Sequence, residues 1–145
     1  MNTENLSQDP APRLATLIAY DCWSLLRSAE IARVGWQRPS GLAIVPVNYV
    51  VDDGALWFRT TPTSSLAREA AGARVVVEVD EVDAAKHSAW SVVVTGVAEL
   101  IEFLDVPDSL VEMRIWPGGK HGLFVRVEPD EITGRRLLPA THDRP

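Results

Sequence analysis

The residues of this chain best suited to chemistry form a cluster of one cation and several hydroxyl groups. Arg59 is followed at once by Thr60 and Thr61, and then by Ser64 and Ser65. Arginine binds phosphate oxygens through two parallel N–H donors, and hydroxyl groups add further donors. The two serines also stand at a predicted helix start, where free backbone N–H groups favour anions. The cluster therefore predicts an anion-binding site, with phosphate as the simplest ligand, but it contains no candidate catalytic side chain.

A second feature is Pro46, which lies inside the most strand-like stretch of the sequence, residues 42–51. Proline has no backbone N–H, so the hydrogen-bond ladder must be open, bulged or at a sheet edge here. Two interpretations remain open. Either Pro46 is an ordinary edge-strand proline, or the open backbone around it bonds a ligand instead of a neighbouring strand.

Other candidate sites are weaker. Trp57, Trp90 and Trp116 could stack on a planar ligand, and the alternative for each is a core or interface position. The histidines lack the spacing of a zinc motif, so no metal site is predicted. The acidic residues between positions 78 and 83 are interpreted as a solvated strand end and not as a cation site.

Composition restricts the class of protein. The chain has 145 residues, enough for one domain with a real core, and carries a net charge of −6. This charge argues against a nucleic-acid partner, which would require a basic face. No apolar run approaches the roughly 20 residues of a membrane span, and the polar start lacks a signal-peptide pattern. We therefore expect a cytoplasmic protein with no membrane partner, in which the single cysteine, Cys22, packs in the core.

The elements that must position the candidate residues are mostly strands. Residue patterns and turn signals predict strands over residues 32–36, 42–51, 55–60, 73–80, 89–101 and 123–128, with a short ending at 132–137. Helical spacing predicts short helices over residues 21–29, from the serine pair to residue 71, and over 104–113. Asp21 is the expected cap of the first helix, and Ser64 or Ser65 that of the second.

The connections indicate how these strands are arranged. Asp53 and Gly54 predict a tight hairpin turn with positive φ angles. About six strands joined by short links favour a mainly β fold, an antiparallel barrel with short helices, over a doubly wound parallel sheet. We expect a flexible N-terminal segment over residues 1–17, one domain over 18–138 and a flexible tail over 139–145.

Short motifs in a fixed order carry a resemblance to a known family. The motifs are Cys22-Trp23-Ser24-Leu25-Leu26, Val45-Pro46-Val47-Asn48-Tyr49, Phe58-Arg59-Thr60, Val77-Glu78-Val79-Asp80, Trp90-Ser91-Val92-Val93-Val94-Thr95-Gly96, Trp116-Pro117-Gly118 and Thr133-Gly134-Arg135-Arg136. No single motif is specific. The ordered set, over about residues 20–137, resembles the pyridoxamine 5′-phosphate oxidase-like family of FMN-binding split barrels, in its small actinobacterial branch.

The resemblance implies a six-stranded antiparallel split β-barrel that forms a homodimer, with FMN in a groove at the dimer interface. It also implies site residues by their positions. Arg59, Thr60, Thr61, Ser64 and Ser65 would bind the FMN phosphate. Pro46, Val47 and Asn48 would line the isoalloxazine ring, and Trp90 and Trp116 would lie near the ring or close the groove from the partner subunit.

The chain departs from the family pattern mildly at Ala32-Arg33-Val34, where Gly-Arg-Leu is usual, and more seriously at two positions of the phosphate site. Members of the family that it resembles usually carry glycine where this chain has Thr63 and lysine where it has Ser65. Loss of a charge-assisted contact costs on the order of 1.5–3 kcal/mol, which weakens binding roughly ten- to hundredfold. The leading hypothesis is a flavin-dependent oxidoreductase that passes electrons between reduced FMN and a small molecule. The alternatives are a non-enzymatic or cofactor-free binding protein of the same fold and a deazaflavin-dependent reductase.

Overall fold

Strands dominate the computed structural model, which describes residues 11–102, 105–111 and 122–140. The elements in chain order are β1 Arg13–Thr16, α1 Ala19–Ser28, β2 Ile31–Arg38, β3 Gly41–Asp52, β4 Ala55–Thr60, α2 Ser65–Ala70, β5 Arg74–Asp83, β6 Ser88–Ile101, α3 Asp108–Val111 and β7 Leu123–Leu138. Of the helices that the structure describes, none has the length and apolarity needed to cross a membrane.

The strands form one antiparallel sheet that curls into a barrel. The sheet order is β1-β7-β4-β3-β2-β5-β6, and β7 also pairs with β6, so six strands from β2 to β7 close a ring. Strand pairing is short at two places in the ring, since β2 and β5 share three register pairs and β3 and β4 share four. The predicted six-stranded antiparallel barrel is therefore confirmed. Its interior is filled by apolar side chains such as Phe58, Val77 and Val94.

Some boundaries differ from the prediction. The sequence predicts a flexible segment up to residue 17, but Arg13–Thr16 form β1, because the long β7 offers them a free edge between Arg135 and Leu138. The predicted strand over 123–128 and the ending over 132–137 are one strand, β7. Of the predicted helix over 104–113, the described part is helical only at Asp108–Val111.

Helix α1 begins earlier than predicted. Ile18 is its N-cap, so Asp21 lies inside the first turn instead of capping it. Cys22 is fully buried and free, which confirms the predicted core position. The helix can approach β7 because residue 134 is glycine: a Cβ there would lie 2.6 Å from the Cys22 Sγ atom.

The β3–β4 hairpin matches its prediction and explains the position of Pro46. Asp53 and Gly54 have φ angles of 47° and 70°, as a tight Asp-Gly turn requires. β3 pairs with β2 over its whole length but with β4 only from Tyr49 to Asp52. The other edge of residues 41–48 has no strand partner in the described chain, so Pro46 lies at a local sheet edge, one of the three arrangements that the sequence allows.

Candidate functional site

A cavity of about 500 Å³ opens beside the unpaired edge of β3. We call it the Arg59 cavity and define it by its lining residues. Eight of these were predicted as site residues: Pro46, Val47, Asn48, Arg59, Thr60, Thr61, Ser64 and Ser65. Four more were not: Ile31, Trp36, Val45 and Leu66. The structure thus brings most of the predicted residues into one place.

Two adjoining strand ends and one helix start create this arrangement. Asn48 and its predecessors belong to the part of β3 that runs beyond its pairing with β4. Arg59 and Thr60 are the last residues of β4. The chain then turns, with the Ser64 backbone N–H donating to the Thr61 carbonyl oxygen at 3.0 Å, and enters α2. The hydroxyl cluster is therefore held against the open edge of β3.

The hydroxyls of Thr60 and Ser64 form a pair that is part of the helix cap. Ser64, one of the two serines predicted as the cap, is the N-cap of α2, and its Oγ accepts a hydrogen bond from the Ala67 backbone N–H at 3.0 Å. The Thr60 Oγ1 and Ser64 Oγ atoms are 2.5 Å apart. Two hydroxyls carry two protons, and their mutual hydrogen bond uses one. Whichever oxygen donates, one O–H group of the pair is left to donate elsewhere.

Arg59 supplies the positive charge of the cavity. Among the lining residues that the structure describes, it is the single charged side chain. Its guanidinium carbon lies 5.2 Å from the centre of the Phe124 ring, a cation–π contact with the neighbouring strand β7. The Phe124 ring supports one face of the guanidinium, and Arg59 contributes its positive charge to the lining of the cavity.

Gly122 provides the space for this guanidinium and was not predicted as a site residue. A Cβ atom at position 122 would lie 2.9 Å from both the Nε and Nη2 atoms of Arg59. Any larger residue would force the arginine to move. No local pattern identifies this role, since a glycine just before a strand is common.

Asn48 presents an acceptor with a fixed orientation. Its Nδ2 donates to the Glu30 carbonyl oxygen at 2.9 Å. Its Oδ1 is buried and accepts no hydrogen bond from any residue that the structure describes. An unsatisfied buried acceptor costs about 1–3 kcal/mol, so a ligand N–H group that reached this oxygen would gain affinity.

Trp36 forms an apolar wall that sequence reasoning also missed. Trp36 is only 5% exposed, and its indole N–H donates to the Glu69 Oε2 atom on α2 at 2.9 Å. The same carboxylate lies 3.4 Å from the Arg38 Nε atom. These contacts tie the wall of the cavity to α2. Strand alternation could place Trp36 inside the barrel, but its partner on α2 depends on tertiary packing.

The remaining predicted residues lie elsewhere. Trp90 lines a different cavity at the β5–β6 hairpin, of about 560 Å³, which we call the Trp90 hollow and define by Glu81, Asp83, Lys86, Trp90 and Arg136. The role of Trp90 in cofactor binding stays a prediction. Trp116 lies outside the described residues. Within those residues, no group of three or more metal-ligating side chains is positioned to hold an ion.

Sequence comparison assigns this architecture to a family. The sequence profile of the pyridoxamine 5′-phosphate oxidase family matches residues 19–136. The chain belongs to this family. An uncharacterized relative, Rv0080 of Mycobacterium tuberculosis, is 33% identical over 138 residues, which cover 91% of each chain. Membership of the family therefore extends over nearly the whole chain.

Solved structures share the family fold. A protein of Corynebacterium glutamicum, provisionally named as a pyridoxamine 5′-phosphate oxidase, superposes with a TM-score of 0.71 at 32% identity, over 88% of this chain and 96% of the other. The FAD binding protein of Mycobacterium smegmatis superposes with a TM-score of 0.67 at 33% identity, over 86% and 98%. The family contains flavin-binding members, and the fold of this chain is theirs.

Proposed function

We propose that this protein binds a phosphate-bearing flavin in the Arg59 cavity and passes electrons between the reduced flavin and a small molecule. The observation that carries the proposal is the arrangement of one guanidinium and several hydroxyls beside apolar walls. Family membership supports it, as does the name of the Mycobacterium smegmatis relative, which is an FAD binding protein.

The residues of the cavity fit the two ends of such a cofactor. Arg59 and the spare hydroxyl of the Thr60–Ser64 pair would hold the phosphate by charge-assisted hydrogen bonds. Trp36 and the unpaired edge of β3 would contact the ring, and the Asn48 Oδ1 atom would accept a ring N–H. When bound, the flavin supplies the redox chemistry. The protein binds it, orients it and limits its contact with water.

FMN is the proposed cofactor, and its affinity depends on position 65. Ser65 lines the cavity without adding a charge, so Arg59 is the one cation that the described lining residues would offer to the phosphate. A lone cation compensates one negative charge better than two. FAD, whose phosphates each carry one negative charge, and a deazaflavin are therefore necessary comparisons in any binding test. A protein that binds none of them would be the cofactor-free member of the fold.

We further propose that two copies of the chain pair through the outer face of β2, β3 and β5. Leu42, Ile44 and Val76 are 86%, 68% and 42% exposed, and they border a groove of about 510 Å³. Ile31 and Pro46 lie on the same strands and line the Arg59 cavity. A second copy on this face would therefore cover the apolar groove and wall the cavity as well. We also propose a cytoplasmic location, with which the free, buried Cys22 thiol is compatible.

The experiment that tests the cofactor is a visible absorbance spectrum followed by titration with FMN, FAD and a deazaflavin. We expect a flavin spectrum that bleaches with dithionite and returns in air, and saturable binding of FMN. Preference for FAD or the deazaflavin would keep the cavity but change the cofactor. Absence of binding by all three would overturn the proposed function and leave the fold.

A further inference from the structure

A charged cluster interrupts the apolar outer face of the barrel. In register, Gly35 lies between Ile44 and Val76, and the next row places Arg33 between Pro46 and Glu78. The Arg33 Nη1 atom is 2.8 Å from the Asp80 Oδ2 atom and 3.7 Å from the Glu78 Oε1 atom. Two carboxylates therefore share one guanidinium directly beside the exposed apolar row.

The sharing is unequal. Asp80 accepts the hydrogen bond from Arg33, whereas the Glu78 Oε1 atom is buried and accepts none within the described chain. The strands on either side add no compensating charge. Val93 and Ser91 on β6 lie opposite Glu78 and Asp80, and Pro46 on β3 lies beyond Arg33. With both carboxylates ionised, the cluster carries one surplus negative charge.

The proton affinity of Glu78 agrees with this geometry. Burial, then the hydrogen bond and negative charge of Asp80, raise the Glu78 pKa to about 7, although the Arg33 charge acts in the opposite direction. Below this pKa the cluster is neutral. Above it the surplus charge is present, so the charge of this face changes near physiological pH.

We infer that the Arg33–Glu78–Asp80 cluster makes the pairing of two copies through this face depend on protonation. The inference rests on the pairing proposed above. In a two-fold interface each copy brings the same patch, so two surplus negative charges would be brought together or buried at high pH. Burial of an uncompensated charge is costly, and like charges across an interface repel each other. The dimer is thus favoured at acidic pH and weakened as Glu78 ionises.

The test is sedimentation velocity of the full chain at pH 6.0 and pH 8.2, at constant ionic strength. We expect the dimer dissociation constant of the unaltered protein to rise at least about tenfold at the higher pH. In the Glu78→Gln variant, the dimer dissociation constant should stay at its low-pH value at both pH 6.0 and pH 8.2. Asp80→Asn should do the same, because it leaves one carboxylate for one guanidinium. Glu99→Gln is the control, since Glu99 is an exposed carboxylate paired with Arg126 and should leave the pH response unchanged.

The outcomes separate this inference from the proposal beneath it. A dimer whose affinity is equal at both pH values, or remains pH-dependent in both folded variants, would overturn the role of the cluster and leave the dimer standing. A chain that is monomeric at both pH values would overturn the pairing and with it this inference. Circular dichroism shows whether each variant is folded, and the two independent carboxylate variants protect the test if one is not.

Discussion

The Arg59 cavity and the Trp90 hollow have similar volumes, about 500 and 560 Å³, but different arrangements of charge. Among the described residues, the lining of the first holds one cation together with hydroxyls and apolar side chains. The second mixes Glu81 and Asp83 with Lys86 and Arg136. Opposite charges in the lining of one hollow compensate each other, whereas the described lining of the Arg59 cavity contains a cation and no carboxylate and so favours an anion. The arrangement of charge, more than the volume, therefore distinguishes the Arg59 cavity as the candidate site.

Removal of the Arg59 side chain should change flavin affinity most, and removal of Arg136 provides the matched comparison in the Trp90 hollow. Arg59→Ala should weaken FMN binding roughly ten- to hundredfold, because it removes the charge-assisted contacts to the phosphate. Arg136→Ala, in the Trp90 hollow, should change the affinity by less than about twofold if that hollow takes no part. Fluorescence titration with FMN measures both. Equal losses would contradict the distinction and indicate that the hollow contributes to the same site, as it could in a dimer.

A second positive charge in the Arg59 cavity should increase the difference in flavin affinity between the two cavities. Ser65→Lys places an ammonium group at the lining of the Arg59 cavity and should strengthen FMN binding roughly tenfold. Ser88→Lys makes the same change in the Trp90 hollow, where Ser88 is a lining residue, and should have no effect. The dissociation constants of the two variants are compared by the same titration. An unchanged affinity in Ser65→Lys would show that the phosphate does not lie near α2.

A smaller effect tests how the guanidinium is placed. Gly122→Ala leaves the charge in the cavity but should displace it, since the new Cβ would lie 2.9 Å from two Arg59 nitrogens. We expect roughly three- to tenfold weaker FMN binding. In an Arg59→Ala background the same substitution should cost nothing further, which a double-mutant cycle measures. Additive losses of affinity would contradict the proposal that position 122 affects binding by placing the Arg59 guanidinium.

Sequence patterns predicted the features whose causes are local. The Asp-Gly turn, the strand ending at Thr60 and a helix cap at the serine pair depend on neighbouring residues, and each is confirmed. Most of the cavity followed from them, because the hydroxyl cluster is contiguous in the chain. Pro46 indicated the open sheet edge for the same reason.

Features made by distant segments were not predictable. Gly122 meets Arg59 only because β7 pairs with β4, and Trp36 meets Glu69 only because α2 packs beside β2. β1 exists because β7 extends past its pairing with β4, which leaves the edge opposite β6 free for Arg13–Thr16. The position of Asp21 was misjudged because the helix begins at a residue, Ile18, whose side chain makes no capping hydrogen bond. Each miss reflects a tertiary contact or a weak local signal.

The hydroxyl pair of Thr60 and Ser64 links ligand binding to the order of a short helix. Ser64 holds both the first turn of α2 and the Thr60 hydroxyl, so the cavity donor is in place only while that turn is intact. A helix of six residues frays easily in water. A ligand held by the pair would therefore suppress fraying, and slower amide hydrogen exchange at the start of α2 would report occupancy of the cavity even for a colourless ligand.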